Sequence, residues 1–144
     1  MILFNSRTSN SWLSAFHPCP IPYDGLEYPS VENFYQAMKC ADPDDRLKFL
    51  NVSSQKSREM GNQIEKIPNW TQIKVSFMRI GLQIKYSIPE FCTLLLDTGT
   101  EELVHLSPWD TFWGVDGNGI GSNVQGKLTM EIRENLFNSS INLF

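Results

Sequence analysis

The chain is poor in the residues that bind metals and form disulfides. Its 144 residues include three cysteines and two histidines. Cys19, Cys40 and Cys92 are odd in number and show no C-x-x-C spacing, which argues against both a disulfide framework and a zinc site. Because His17 and His105 are the only histidines, the sequence predicts no metal, and we expect no cofactor.

A long hydrophobic run is also absent. No window approaches the ~20 apolar residues of a membrane span, and the apolar run at residues 1–5 is too short for a signal peptide. With 41% hydrophobic residues, the chain matches one globular domain that buries roughly two-thirds of its unfolded surface. We therefore expect a single soluble, cytoplasmic domain over residues 1–144, with no membrane partner and no obligate protein partner.

Basic residues are missing from one long segment. Residues 86–126 hold six acids and no lysine or arginine, whereas residues 39–85 hold nine of the twelve lysines and arginines and five acids. The basic segment could face a phosphate, although solvated helix faces are the commoner explanation for such charges. The net charge of −4 argues against tight nonspecific DNA binding. Nucleic acid therefore remains a partner only as a locally gripped substrate.

The sequence patterns predict an α+β fold that is predominantly α-helical, with short N-terminal strands. Prolines and a glycine break up residues 1–29, where we expect short strands and turns, including one strand near residues 2–5. Another short strand is expected at residues 103–106. Helices are expected at residues 30–40, 46–51, 55–66 with Ser54 as cap, from Trp70 with Asn69 as cap, from Pro89 to Gly99, and from Asn123 as cap. Gly81, inside the long helix, predicts close packing against a neighbour.

The most informative stretch is the helix predicted at residues 30–40. Ser30 is a good N-cap, and Val31, Phe34, Tyr35 and Met38 repeat at the spacing that buries one helical stripe. A second stripe beside the buried one carries the polar residues Glu32, Gln36 and Lys39. Polar groups at the rim of a core often line a cleft. A carboxylate in the first turn of a helix also has a purely structural role, because it interacts favourably with the helix dipole.

The loop from residue 107 to residue 126 is a second candidate site. It places Asp110 between aromatic side chains, directly before five glycines. Such a loop can wrap a ligand or simply form a tight surface turn. The glycines lack the G-x-G-x-x-G spacing, and no G-K-S/T follows, so neither a dinucleotide-binding motif nor a P-loop is indicated. The helix N-terminus near Asn123 would have free N–H groups that could bind an anion.

Six blocks of sequence also stand in a diagnostic order. The first three are Leu13-Ser14-x-Phe16, Pro20-Ile21-x-Tyr23-Asp24-Gly25 and Tyr28-Pro29-Ser30-Val31-Glu32-x-x-Tyr35-Gln36-Ala37-x-Lys39. The others are Asn69-Trp70 with Lys74 and Met78, Leu94-Leu95-Leu96-x-Thr98-Gly99 with Glu102-Leu103-Val104, and Trp113-Gly114 to Asn123-x-x-Gly126-Lys127-Leu128-x-Met130-Glu131-Ile132-Arg133. In these blocks the sequence resembles the NADAR family, also called the YbiA-like family, and the resemblance covers almost the whole chain.

This resemblance implies an N-glycosidase acting on ribosyl compounds related to NAD and ADP-ribose. Family members are associated with phosphorylated intermediates of the riboflavin pathway and with guanine bases of nucleic acid that carry ADP-ribose. We favour the modified guanine, in DNA more than in RNA. The alternatives are a small ribosyl phosphate of the riboflavin pathway and a catalytically inactive module that binds ADP-ribose or a nucleotide.

The resemblance also gives catalytic weight to Glu32, Trp70 and Asp110. Two departures from the family pattern are visible. The usual L-S-N-F appears as Leu13-Ser14-Ala15-Phe16, and the usual E-H appears as Glu32-Asn33. If the missing Asn or His contacts substrate in relatives, the selectivity of this chain differs from theirs.

The chemistry of the bond makes these positions reasonable. Cleavage of an N-glycosidic bond builds positive charge at the anomeric carbon, which a carboxylate such as Glu32 can stabilise while activating water. Lys39 permits a different route, in which its amine attacks the opened sugar and forms a Schiff base. The residues alone leave both routes open.

The remaining candidates would bind the substrate. Asp110 could hold a ribose hydroxyl or act as a second catalytic carboxylate, and Trp70 and Trp113 could stack on a base or an adenine ring. Arg7 and the helix N-terminus at Asn123 are candidate contacts for a diphosphate. Gly114 follows Trp113 in the family pattern and is assigned to the same binding loop.

Overall fold

The computed structural model describes the backbone of residues 1–142 and the side chains of residues 1–139. These residues fall into two units. We call Ala15–Lys85 the central unit, and Met1–Ser14 together with the residues from Tyr86 onward the terminal unit. The fold is α+β with more helix than strand, as predicted. The prediction of one domain over residues 1–144 stays a prediction.

The described part of the chain contains four short strands and five helices. In order they are β1 (Ile2–Phe4), β2 (Pro18–Tyr23), β3 (Leu26–Ser30), α1 (Val31–Met38), α2 (Ser54–Gly61), α3 (Trp70–Ser87), α4 (Pro89–Asp97), β4 (Leu103–His105) and α5 (Val124–Asn142). Two 3₁₀ segments, Ser11–Leu13 and Pro43–Phe49, complete the list. Within residues 1–142, every helix is too short or too polar to span a lipid bilayer.

The central unit begins with a hairpin that leads into α1. Strands β2 and β3 pair antiparallel, with Tyr23 opposite Leu26, so the turn consists of Asp24 and Gly25. Both turn residues have positive φ, 50° and 79°, which is the backbone that the Asp-Gly pair favours in two-residue hairpins. Strand β3 ends at Ser30 and α1 starts at the next residue. The tight turn therefore fixes where the helix carrying Glu32 begins.

The start of α1 is held by hydrogen bonds on two sides. The Ser30 hydroxyl accepts from the backbone N–H of Asn33 at 3.1 Å, which confirms Ser30 as the N-cap. The backbone N–H of Glu32 donates to the carbonyl of Ala15 at 3.0 Å. All eight residues of α1 are buried, polar ones included. The helix is thus enclosed on every side, whereas the sequence predicted one buried stripe with a polar stripe at its edge.

Asn33 occupies the position where the family pattern has histidine, and here it is structural. Its side-chain Nδ2 donates to the carbonyls of Phe49 and Val52, both at 2.9 Å. Its Oδ1 accepts from the Ser30 hydroxyl at 2.6 Å. Asn33 is fully buried. In this chain, the departure from the family pattern therefore ties the start of α1 to the end of the segment Pro43–Phe49 and to Val52 beyond it.

Gly81 of α3 packs against α1, as its position in the sequence predicted. A Cβ atom at Gly81 would lie 2.9 Å from Phe34 Cδ1 and 3.1 Å from Val31 Cγ1, closer than side chains normally approach. The Phe34 ring also meets the Phe77 ring edge-on, with centroids 6.5 Å apart. The missing side chain lets α3 approach the apolar stripe of α1.

Two predicted helices in the central unit have different bounds in the structure. Ser53, not Ser54, caps α2 by accepting from the backbone N–H of Lys56, and Ser54 donates instead to the Phe16 carbonyl. Helix α2 also ends at Gly61 rather than near residue 66, because residues 65–67 turn back and pair with the backbone at residues 39–41. The predicted helix at residues 46–51 is a 3₁₀ segment that starts earlier, since Asp42 caps it and Pro43 occupies its first position.

In the terminal unit, the two short strands are far apart in the sequence. Strand β1 pairs with β4 in parallel, with Leu3 opposite Val104. The predicted helix at Pro89 is α4, with Pro89 in its first turn and Gly99 following its end at a φ of 63°. Helix α5 starts after Asn123, as predicted. The Asn123 side chain, however, bonds β4 instead of capping the helix: its Oδ1 accepts from His105 N–H at 2.9 Å, and its Nδ2 donates to the Leu103 carbonyl at 3.0 Å.

Candidate functional site

The polar stripe of α1 forms the centre of the candidate site. Glu32, Gln36 and Lys39 are only 7%, 4% and 6% exposed. Gln36 Nε2 donates to Glu32 Oε1 at 2.7 Å, so the carboxylate is held by its neighbour one helical turn on. Burying charged and amide groups costs free energy unless they are paired or used. Three such groups in successive turns of one buried helix are therefore a marker of function.

Lys39 lies against an aromatic wall. Its Nζ is 5.5 Å from the centroid of the Tyr35 ring and 6.0 Å from that of the Trp70 ring. These two rings are 5.2 Å apart, and Trp70 also stacks on Phe77 at 5.9 Å. Cations are attracted to aromatic faces at such distances. Trp70, the first residue of α3, thus stands beside the amine of Lys39.

The pKa of Lys39 is lowered from 10.5 to about 8. The first cause is burial, which disfavours the ammonium. Nearby positive charge lowers this pKa further, and the Glu32 carboxylate raises it in partial opposition. The cations that act on Lys39 in this way are Lys66, Arg58 and Lys74. Near neutral pH, a fraction of Lys39 is therefore the uncharged amine, the form that acts as a nucleophile.

The predicted loop site in the terminal unit centres on Asp110. Its Oδ1 accepts from the backbone N–H groups of Phe112 at 3.1 Å and Trp113 at 3.2 Å. Trp113 is 8% exposed and meets the Phe112 ring edge-on, with centroids 4.9 Å apart. No residue of the described chain donates a hydrogen bond to the other carboxylate oxygen, Oδ2. Asp110 therefore shapes the turn that holds Trp113 and has one oxygen that a ribose hydroxyl can use.

Asp110→Asn is expected to separate these two roles. The variant keeps Oδ1 as an acceptor for Phe112 and Trp113 but loses the negative charge, so we expect a melting temperature close to that of the wild type and a decrease in kcat/KM of about tenfold or more. Asp110→Ala should lower both quantities because it also removes the turn. Thermal unfolding and steady-state kinetics on the same preparations measure this. Full activity of Asp110→Asn would show that Asp110 stabilises the turn and has no role in binding or catalysis.

Gly114 and Asn123 stabilise the terminal unit through close packing and backbone hydrogen bonds. A side chain at Gly114 would overlap the His105 carbonyl and lie 2.9 Å from Ser107 Cβ, so this position requires glycine for close packing. The backbone N–H groups of Asn123, Val124 and Gln125 donate to the carbonyls of Gly114, Phe112 and Trp113. The expectation that these N–H groups at the start of α5 are free to bind an anion is therefore wrong.

Arg7 lies in the exposed loop after β1, where its backbone N–H donates to Asn5 Oδ1 at 2.8 Å. Its role toward a diphosphate stays a prediction, as do the binding roles of Trp113 and Gly114. Of the residues proposed from the sequence, the structure brings Glu32, Lys39 and Trp70 together in the central unit. Within the described residues, no group of three or more His, Cys, Asp or Glu side chains is arranged to hold a metal ion.

Sequence reasoning missed two members of the central cluster. Gln36 stood on the same predicted stripe as Glu32 and Lys39 but received no role. Tyr35 was counted with the apolar stripe, although its ring is one of the two that face the Lys39 amine. The sequence offered two signals: both residues belong to the third block of the family resemblance, and residues i+3 and i+4 from Glu32, like residue i−4 from Lys39, share a face of the helix with them.

Comparison with known proteins shows which family this chain is similar to. The NADAR domain family matches residues 3–137. The N-glycosidase YbiA of Shigella boydii is 38% identical over 127 residues, which cover 85% of this chain and 79% of that protein. A riboflavin biosynthesis protein of Vibrio vulnificus is 34% identical over 134 residues, which cover 89% of this chain and 36% of that protein.

A solved structure shares the fold. The NMR structure of the Escherichia coli protein YbiA matches with a TM-score of 0.86 and 32% sequence identity, covering 97% of this chain and 86% of that one. The family match spans both Glu32 and Asp110, and it includes the buried stripe of α1 and the aromatic loop. The chain therefore belongs to the NADAR domain family.

Proposed function

We propose that this chain is an N-glycosidase that hydrolyses the bond between ribose and guanine in ADP-ribosylated nucleic acid and so reverses the modification. The observation that carries the proposal is the buried cluster of α1, in which a carboxylate held by an amide lies near a lysine packed against tryptophan. Its relatives named N-glycosidase and the family resemblance support the class of reaction. The modified guanine is the substrate that we favour within that class.

Glu32 suits the charge that develops during bond cleavage. The anomeric carbon becomes positive as the bond to the base breaks, and a carboxylate that is buried interacts with that charge more strongly than one in water. Glu32 is 7% exposed, and one of its oxygens accepts from Gln36. The carboxylate can also take a proton from an attacking water, because its own geometry is already fixed.

Lys39 supports the Schiff base route over direct attack by water. In this route the bond between the anomeric carbon and the ring oxygen breaks, and the exocyclic nitrogen of guanine gives up its proton to that oxygen as it becomes doubly bonded to the anomeric carbon. The neutral Lys39 amine then adds to that carbon, the bond from the carbon to the guanine nitrogen breaks, and the two protons of the lysine amine pass to the departing guanine amine, with the Glu32 carboxylate accepting and returning a proton. Water then hydrolyses the lysine imine, releasing ADP-ribose and restoring the amine. The lowered pKa of Lys39 supports this role because only an uncharged amine can add to carbon.

The charge around Lys39 fits an anionic substrate. Lys66, Arg58 and Lys74 all exert their positive charge on Lys39, while the chain as a whole carries a net charge of −4. This local excess of positive charge is what a diphosphate or a nucleic-acid phosphate would find favourable. The arrangement supports a phosphorylated substrate and speaks for local capture rather than general nucleic-acid binding.

The test is incubation of the wild-type protein with an oligonucleotide that carries ADP-ribosyl guanine, followed by mass spectrometry of the products. We expect free ADP-ribose and an oligonucleotide whose guanine is intact. An unmodified oligonucleotide and free NAD serve as controls for contaminating activities. Failure of a folded wild-type preparation to release ADP-ribose from either single-stranded or double-stranded substrate would contradict the proposed substrate.

A second candidate substrate is a phosphorylated ribosyl intermediate of the riboflavin pathway. The observation in its favour is the similarity to the Vibrio vulnificus protein, whose name assigns it to riboflavin biosynthesis. The same site chemistry would serve, since both substrates carry a ribose joined to nitrogen and a phosphate. Assayed in parallel, the substrate with the higher kcat/KM identifies the activity of this chain. Binding of ADP-ribose without any turnover would instead indicate the inactive module.

A further inference from the structure

Gln36 is buried in an arrangement that a packing role does not explain. Its side chain is 4% exposed, and its Nε2 donates to Glu32 Oε1 at 2.7 Å. An ionised carboxylate can only accept, so this bond fixes which end of the amide faces Glu32. The other end, Oε1, is buried and accepts no hydrogen bond from any described residue. A buried amide oxygen without a partner costs free energy, which an apolar side chain of similar size would avoid.

Gly61 is what the unpaired oxygen faces. A Cβ atom at Gly61, the last residue of α2, would overlap Gln36 Oε1 and lie 2.6 Å from Gln36 Cδ. Any side chain at residue 61 would therefore push the amide away from its present position. The absence of a Cβ leaves a space that the Gln36 amide fills, and the backbone of α2 closes that space behind it.

We propose that Gln36 is a positioning residue for Glu32 and that Gly61 holds Gln36 in place. This inference rests on the proposed function, because it assigns Gln36 and Gly61 to the same reaction. The amide of Gln36 occupies one carboxylate oxygen and limits rotation of the Glu32 side chain, so that the carboxylate meets the anomeric carbon in a single orientation. Small displacements of a catalytic group lower turnover more than they lower binding.

The first test removes the donor while keeping the volume. Gln36→Leu should lower kcat by about 10-fold to 100-fold with KM within about twofold of wild type. Its stability changes in two opposite ways, because the unpaired Oε1 is removed and Glu32 Oε1 loses the donor from Gln36, so kcat is compared on samples that thermal unfolding shows to be folded at the assay temperature. A leucine variant with wild-type kcat would overturn the positioning role.

The second test uses Gly61 and a matched glycine. Gly61→Ala should lower kcat to a similar degree because the new methyl group displaces the amide. Gly81→Ala is the control, since its methyl group would also crowd α1, but at Phe34 and Val31 rather than at Gln36. We expect Gly81→Ala to lower the melting temperature and to keep kcat. If Gly81→Ala lost kcat equally, the effect of Gly61→Ala would be explained by general packing around α1, and the specific role of Gly61 would be overturned.

A double variant tests whether Gly61 acts through Gln36. Truncation in Gln36→Ala leaves only the Cβ atom near residue 61, at 3.1 Å, so there is no amide for the alanine to displace. Gly61→Ala added to Gln36→Ala should therefore cause little further loss of kcat. Additive losses would show that Gly61 acts independently of Gln36 and would overturn that half of the proposal.

One readout does not require an active enzyme. The side-chain amide protons of Gln36, observed by NMR, should exchange slowly in the wild type because they are buried and donate to Glu32. They should lose that protection in Gly61→Ala and in Glu32→Ala, and keep it in Gly81→Ala. If the wild type proves inactive on every substrate, the proposed function fails, while this experiment still confirms or overturns the placement of Gln36 by Gly61.

Discussion

Glu32→Gln is expected to lower turnover by at least about 100-fold, the lower end of the effect for a positioned acid or base. The variant has almost the same shape as the wild-type side chain, and its amide oxygen can still accept from Gln36 Nε2. What it loses is the negative charge that stabilises the developing cation and the ability to accept a proton. Release of ADP-ribose under single-turnover conditions measures the effect, together with thermal unfolding of the same sample.

The competing explanation for Glu32 is its position in the first turn of α1, where a carboxylate interacts favourably with the helix dipole. Glu90 provides a matched control, because it stands in the first turn of α4 and is exposed. Glu90→Gln should change stability by no more than about 1 kcal/mol and leave turnover unchanged. If Glu32→Gln behaved in the same way as Glu90→Gln, the dipole would account for Glu32 and its catalytic assignment would be lost.

Lys39→Met is expected to abolish a covalent intermediate that borohydride traps in the wild type. The trapped species should carry the mass of ADP-ribose less water plus two hydrogens, located on Lys39 by peptide mapping. Since the pKa of Lys39 is about 8, the neutral amine rises from about a tenth of the protein at pH 7 to about nine-tenths at pH 9. The initial rate of adduct formation should therefore rise with pH through this range and level off above it.

Two variants distinguish a nucleophile from a simple positive charge. Lys39→Arg keeps a cation beside Tyr35 and Trp70 but lacks a nucleophilic amine, so we expect it to be as inactive as Lys39→Met. Lys66→Met, at an exposed position, removes one of the charges that act on Lys39 and should keep the adduct. Samples reacted at each pH and quenched into borohydride at one fixed pH keep the reduction step constant. If no adduct formed at any pH, the Schiff base route would be contradicted and direct attack by water would be the favoured route.

Much of the local structure could be predicted because it depends on single residues. Ser30 caps α1, Pro89 starts α4, and Gly99 follows α4 in the left-handed conformation. Each follows from side-chain chemistry within a few residues. The parallel pairing of β1 with β4 could not be predicted, since it joins segments about 100 residues apart. The early end of α2 could not be predicted either, because it depends on a distant segment: the backbone of residues 65–67 forms hydrogen bonds with the backbone of residues 39–41.

The candidate site divides in a similar way. Residue types that carry chemistry, namely Glu32, Lys39 and Trp70, could be selected from the sequence, and the structure brings them together. The burial of the polar stripe could not be predicted. The helical period placed these polar residues at the edge of the core, whereas every residue of α1 is buried. The pairing of Gln36 with Gly61 depends on how closely two helices approach, which no local pattern in either helix records. Asn123 was placed correctly before α5, but the partner of its side chain lies on β4.

The enclosure of α1 has a consequence for how this protein can change. A surface helix offers positions where substitutions accumulate without effect, whereas every position of Val31–Met38 is buried. At its start, Asn33 is bonded to the Phe49 and Val52 carbonyls, so transplanting the histidine of the family pattern there would leave two acceptors to be satisfied. New selectivity in this lineage, or in a laboratory library, is therefore expected to arise in the surrounding loops, while α1 is inherited as one block.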